Sequence, residues 1–197
     1  MRSFERELEG SVAVAKERDW QTEPLEDLAE YIVQRHHGFT RGEIGRHSLL
    51  LKELIPLHAQ NHPELLRVQT AVEALWAELI EHMDKEERLL FPYIAELEQA
   101  DRFSRRPPEP VFGTIQNPIA AMIMEHEASE EVLDRLRDTT QNYAIPQDAS
   151  AGFKALYEAL PVFAADLKQH IHLENDILFP RAVELENQLT DRSKQAG

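Results

Sequence analysis

The sequence predicts an all-α protein, an up-down-up-down four-helix bundle built from two duplicated helical hairpins. Three observations predict it. Leu, Ala, Glu and Arg are abundant, glycine is scarce at 7 in 197 residues, and most segments lack runs of β-branched residues. Prolines and polar clusters divide the chain into four long stretches whose apolar residues recur every three or four positions, the spacing of a packed seam. The second and fourth stretches also repeat one another. HMDKEERLLFPYIAELE from His82 and HIHLENDILFPRAVELE from His170 match at eight of 17 positions, at an offset of 88 residues.

The first helix is expected to begin near Pro24, which a first turn tolerates, and to run towards Pro56 before the break Ala59-Gln60-Asn61-His62-Pro63. The second runs from about Pro63 into Leu97. Pro107, Pro108, Pro110 and Gly113 predict an irregular connection between Gln99 and Pro118. Asn117-Pro118 signals the start of the third helix, which is expected to end around Asn142. Asp148 or Ser150 is placed to cap the fourth, which continues to about Glu186. Pro92 and Pro180, each ten residues after a histidine, are expected to kink or loosen their helices at one level. The bundle thus occupies residues 19–189, with an N-terminal extension at 1–18 and a C-terminal tail at 190–197, both expected to fray.

Composition narrows the function. Thirty-six acidic against 21 basic residues give a net charge of -15, which repels phosphate backbones and anionic lipid, so neither nucleic acid nor a membrane is an expected partner. No segment approaches the roughly 20 apolar residues a membrane helix needs, and a soluble cytoplasmic protein is expected. There is no cysteine, which excludes thiolate zinc sites, cysteine-ligated clusters and a catalytic thiol. Any metal rests on His, Asp and Glu.

The seams carry one anomaly. The second helix reads Val68, Val72, Leu75, Leu79, His82, Glu86, Leu89, Tyr93, and the fourth reads Phe153, Leu156, Leu160, Phe163, Leu167, His170, Glu174, Ile177. In both, His and Glu stand where Leu or Ile is called for. Residues four apart share one helix face, so each pair presents an imidazole and a carboxylate to one point in the core. Two buried carboxylates facing each other need a cation between them. A lone seam histidine is more often a satisfied core residue, but two His-Glu pairs in matching registers point to a metal pair bridged by the glutamates.

The third helix, Ile115, Ile119, Met122, His126, Ser129, Leu133, Leu136, adds one more seam histidine. In the first helix His37 continues a line through Val33, Ile44 and Leu51, and His36 one through Leu25, Ile32 and Phe39. Periodicity does not choose between them. The duplication favours His37, which precedes His126 by 89 residues. At ~1.5 Å per residue, His37 and His82 both lie roughly 30 Å from the turn that joins their helices and so can meet. By the same rise His47, His58 and His62 are too far along, and His172 points away from the seam. Imidazoles with bridging carboxylates suit iron, so the set points to a di-iron centre. The Glu-x-x-His pattern of ferritin-like carboxylate sites does not occur in this chain.

From RDWQTEPLEDLAEYIVQRHH through HMDKEERLLFP and IMEHE to HIHLENDILFPRAVELE, about residues 19 to 186, the sequence resembles the hemerythrin-like (HHE cation-binding) proteins and, among them, the di-iron repair-of-iron-centres proteins. The resemblance implies a hemerythrin-like bundle. Its iron ligands fall on His37, His82, Glu86, His126, His170 and Glu174, with two non-haem irons bridged by the glutamates and by an oxo or hydroxo group. It therefore also selects His37 over His36. Members of this type usually carry a short N-terminal domain with a cysteine pair, whereas here only about 20 residues precede the bundle. Hemerythrins proper are less similar, since they place His-x-x-x-His on the third helix and His-x-x-x-x-Asp on the fourth. Here Glu130 stands four residues after His126, and Glu130, Glu125 and Glu78 are candidates to act near the iron or on its imidazoles. Tyr31 and Tyr93 are placed to border the site.

The resemblance implies iron–sulfur cluster repair in the stress response, through iron supply or nitric oxide handling. Two Fe(II) carry more charge than two glutamates offset, which favours lability. O2 or NO are the implied small ligands, damaged iron–sulfur proteins the implied partners, and a monomer or weak dimer the expected state. The alternatives are an O2 or NO binding or sensing protein without turnover, and a nitrite or NO reductase, which needs an electron donor.

Overall fold

The computed structural model describes residues 18–196, so the expected fraying at 1–18 lies almost wholly outside the described residues. Four antiparallel helices form the bundle. The first runs Leu25–Tyr31, passes through a π-helical segment Ile32–His37 and continues as Gly38–His58. The second comprises Glu64–Lys85, a π turn Glu86–Leu90 and Phe91–Arg102. The third is Gln116–Thr139, and the fourth comprises Ala151–Leu173, a π turn Glu174–Leu178 and Phe179–Ala196. Each helix packs on the next, and the fourth returns beside the first to close the ring. Among the described residues there is no strand, and no helix is long and apolar enough to cross a membrane.

The helix ends follow local chemistry. The backbone N–H groups of Leu25 and Glu26 donate to Oε1 and Oε2 of Glu98, each at 3.0 Å, so a carboxylate of the second helix caps the first at its positive end. The third helix stops at Thr139, earlier than Asn142, because Gln141, Asn142 and Tyr143 take φ values of 51°, 60° and 59°. The Asn142 N–H bonds back to the Arg137 carbonyl at 2.7 Å, closing that helix end. Of the two candidate caps for the fourth helix, Ser150 accepts from the Phe153 N–H at 3.4 Å, while Asp148 faces His62 instead. The last helix continues to Ala196, so the tail expected at 190–197 is helical as far as it is described. Leu189 is buried there, and Arg192 pairs with Asp101 at 2.6 Å.

Pro92 and Pro180 act through π turns. Proline lacks an N–H and its ring crowds the carbonyl four residues back, which the wider π turn relieves. In each case the turn begins at the seam glutamate and ends two residues before the proline. Each turn inserts one residue into the pattern and shifts the seam that follows. Leu89, a seam residue by periodicity, is 55% exposed, and Leu90, Ile94 and Leu97 take the core positions in its place. In the fourth helix Leu178 and Ala182 become fully buried in the same way.

Two apolar clusters result. One gathers Leu28, Ile32, Leu90, Ile94, Phe179 and their neighbours, and the other Leu51, Leu75, Phe153, Phe163, Leu167 and theirs. Full burial of each large side chain contributes roughly 1.5–3 kcal/mol. Between the clusters lies a polar layer, buried as completely as the core on either side: His37, His82, Glu86, His126, His170 and Glu174.

Candidate metal centre

The structure brings all six sequence-derived residues into that layer, each at most 2% exposed. His37 ends the π segment of the first helix, and His126 sits midway along the third. His82 and His170 occupy the turn preceding each π turn, and Glu86 and Glu174 open those turns. The two carboxylates are therefore set by the same local geometry in both halves.

The histidines form two pairs. Nε2 of His37 lies 3.2 Å from Nε2 of His170, and Nε2 of His126 lies 3.0 Å from Nε2 of His82. Each glutamate spans both pairs. Glu86 places Oε2 3.4 Å from His37 and Oε1 3.3 Å from His82. Glu174 places Oε1 2.8 Å from His170 and Oε2 3.0 Å from His126. Ligand atoms close enough to share a cation fall into two groups of four, His37, Glu86, His170 and Glu174 in one and His82, His126, His170 and Glu174 in the other, so that His170 and Glu174 belong to both. Both oxygens of Glu86 and Oε2 of Glu174 are buried without an aligned hydrogen bond. Orphaned carboxylate oxygens beside convergent imidazole nitrogens are what a cation pair would satisfy, and the donor set suits iron.

The outer nitrogens show how each ring is held. Nδ1 of His37 meets Oε1 of Glu87 at 2.8 Å, Nδ1 of His82 meets Oε2 of Glu125 at 2.8 Å, and Nδ1 of His126 meets Oδ1 of Asn175 at 2.9 Å. These partners leave Nε2 free to bind a metal. Glu87 also takes a bond from Arg41 at 2.8 Å, and Glu125 one from Lys85, so neither adds net charge to the site. Nδ1 of His170 is buried with no side-chain or backbone partner.

Charge coupling runs through the layer. Burial disfavours a charged Glu174, but His170 and His126 hold its carboxyl well below the ordinary 4.5. Burial and the Glu174 charge push Glu86 up, yet His82 and His37 bring it below its ordinary value. Burial likewise opposes charge on His82, and Glu86, Glu174 and Glu125 outweigh it, raising His82 to about 9. His170 is raised against burial chiefly by Glu174.

The remaining histidines and tyrosines fall elsewhere. His47 is buried between the rings of Trp76 and Phe163, and burial lowers its pKa. His58 and His62 pack on Phe153 at the far end, and His172 is exposed beside Asp176. Glu130 is exposed, and Tyr93 donates to Glu186 at 2.8 Å. Tyr31 packs its ring edge-on against His36. The choice posed between His36 and His37 is not exclusive, because both are buried. Glu87 and Asn175, unforeseen from the spacing, were accessible through the repeat, since they follow Glu86 and Glu174 in equivalent positions. A cavity of about 380 Å³ opens from solvent to His82, lined by Glu78, Glu81, Lys85, Glu125, Met124 and Ser129.

Residues 28–182 match the Hemerythrin HHE cation binding domain. The iron-sulfur cluster repair protein YtfE of Yersinia pestis (strain Pestoides F) is 33% identical over 165 residues, covering 84% of this chain and 69% of that protein. YtfE of Yersinia pseudotuberculosis serotype O:1b (strain IP 31758) matches to the same extent. A family match along most of the bundle and relatives one-third identical over most of the chain lead to one conclusion: the chain belongs to the hemerythrin HHE cation-binding family.

Proposed function

We propose that His37, His82, Glu86, His126, His170 and Glu174 hold two non-haem irons and that the protein serves iron–sulfur cluster repair, the role its relatives' name gives them, in the response to nitrosative or oxidative stress. One observation carries this reading: each of two buried carboxylates offers one oxygen to each of two histidine pairs. In this reading His37 and His170 would hold one iron and His82 and His126 the other, with Glu86 and Glu174 each placed to serve both. Bound iron supplies a redox-active centre able to take O2 or NO.

The residues themselves favour iron supply over gas carriage. The cavity at His82 is lined by Glu78, Glu81 and Glu125, which suit a passing cation better than an apolar gas. Glu125 holds His82 from the solvent side, so its movement uncovers the ligand nearest the opening. Damaged iron–sulfur proteins are the proposed recipients.

Metal analysis of protein from iron-supplied cells, with the visible spectrum before and after NO, tests the centre. About two irons per chain and a spectral shift with NO are expected; a single tightly held zinc or no metal overturns it. Mixing the loaded protein with an apo iron–sulfur protein then separates the functions. Iron transfer supports repair, whereas reversible O2 binding without iron loss supports a carrier or sensor. Steady NO or nitrite turnover with a reductant supports a reductase.

A further inference from the structure

The pseudo-twofold relation between the hairpins extends beyond the six ligands. His82 and His170 are equivalent, as are Glu86 and Glu174, at an offset of 88 residues, and His37 and His126 at 89. The residue preceding His126 is Glu125, which bonds Nδ1 of His82. Its equivalent, preceding His37, is His36, and the nitrogen it would be expected to hold is Nδ1 of His170. That nitrogen is the one ligand Nδ1 of the four without a partner.

His36 is built for the task. It is 3% exposed, and its ring stacks near-parallel to His170 at 6.0 Å between centroids, 13° between planes. Its Nδ1 lies 3.1 Å from Oδ2 of Asp166, whose other oxygen is 3.1 Å from Arg35. A carboxylate at Nδ1 fixes the proton there and leaves a lone pair on Nε2. Nε2 of His36 is itself buried without a partner. A metal on Nε2 of His170 leaves a proton on Nδ1, so the two orphaned atoms are a donor and an acceptor. Asp166 in turn occupies the position equivalent to Glu78 beside Glu125.

We propose that His36, oriented by Asp166, is the positioning residue for His170, its Nε2 serving as the acceptor for the Nδ1–H of the ligand ring. This rests on the metal-centre reading above. Asymmetry follows from it: one half holds its ligand with a solvent-facing carboxylate, the other with a buried neutral imidazole.

The test loads full-length protein with Co(II) as probe metal and measures affinity by chelator competition. The parent is expected to bind about two ions, and His36→Phe, which keeps the aromatic stack and removes the acceptor, to weaken one of them by about 10–100-fold. His36→Gln, whose amide oxygen can accept, recovers most of the loss, and Asp166→Asn weakens the same ion. In the proton NMR spectrum of the Co(II) protein, the exchangeable Nδ1–H signal of one ligand histidine is lost in His36→Phe and retained in His36→Gln. Unchanged affinity for both ions with all such signals retained overturns the proposal. A parent that fails to bind two ions overturns the metal-centre reading itself, which is a separate result. If His36→Phe does not fold by circular dichroism, Asp166→Asn and His36→Gln decide.

Discussion

Glu86 and Glu174 face one another across the core, each fully buried and each the first residue of a π turn. Two carboxylates so placed repel one another and are held by the histidines around them. In the proposed centre, removing one of these carboxylates or imidazoles takes away ligand atoms. His82→Ala and Glu174→Ala are therefore expected to cut bound iron well below the parent's, while His58→Ala leaves it unchanged because His58 sits at the far end beside Ser150. Iron analysis of the three variants checks this, and normal iron in the first two sinks the site.

Metal loading should depend on pH. His82 carries a proton up to about 9, and His170 is also raised above 6.5, so a metal taking Nε2 displaces protons from both near neutrality. Affinity rises with pH towards 9, by up to roughly tenfold per unit for each proton displaced. For the metal-free protein the signs run in two directions. The raised His82 contributes stability fully below 6.5 and loses it as pH climbs through about 9. The lowered Glu174 contributes above 4.5 and loses it as pH falls. Metal-free protein should thus melt highest between about pH 4.5 and 6.5, and loading should flatten the loss on the alkaline side, because a bound metal has already displaced the proton whose release destabilises the metal-free protein. Thermal scans with and without Co(II) across pH 4 to 10 measure both.

Helix number, antiparallel order and the breaks near residues 60, 107 and 145 are written in proline and polar clusters, which act locally and so can be read from sequence. The His/Glu layer was legible because a charged pair interrupts an apolar period twice at one offset. Three things were not. The π turns shift the seam by one residue, so a constant 3.6 period puts Leu89 in the core where Leu90 lies. The cap of the first helix comes from Glu98, 73 residues away from Leu25, and no local pattern announces it. His36 and His37 alternate on an ideal helix, but a helix surrounded on two sides by neighbours buries both.

Glu186 should be a strong point of stability outside the His/Glu layer. It is 8% exposed and accepts from Tyr93 at 2.8 Å, Thr114 at 2.7 Å and the Ile115 N–H at 3.0 Å, at the start of the third helix. Burial and the Glu186 carboxylate both push the Tyr93 phenol up, which keeps its proton in place to donate. Glu186→Ala orphans these donors and is expected to cost roughly 2–4 kcal/mol in urea denaturation, and Tyr93→Phe about 1 kcal/mol. Metal content should be unchanged in both. Lost metal would mean that this end of the bundle is coupled to the His/Glu layer.

The opposite end is closed by an ion pair between hairpins. His62, in the turn between the first two helices, has Nδ1 2.9 Å from Glu64 and Nε2 3.1 Å from Asp148, which lies in the loop before the fourth helix. Both ring nitrogens face carboxylates, so both act as donors and the ring is an imidazolium. Burial opposes that charge, but Glu64 and Asp148 outweigh it and raise His62 above 6.5; His58, 6.4 Å away between ring centroids, is the other titratable group packed near it. A raised pKa means that the contribution is complete below 6.5 and disappears as pH rises through the folded value. His62→Ala should therefore lower the urea midpoint at pH 6 and have a smaller effect at pH 9, with Asp148→Asn following the same trend. The site is close to the surface and screened by solvent, so the effect at pH 6 is expected to be smaller than that of Glu186→Ala and to shrink with added salt. Equal losses at both pH values would show that His62 acts through packing on Phe153 rather than through its charge.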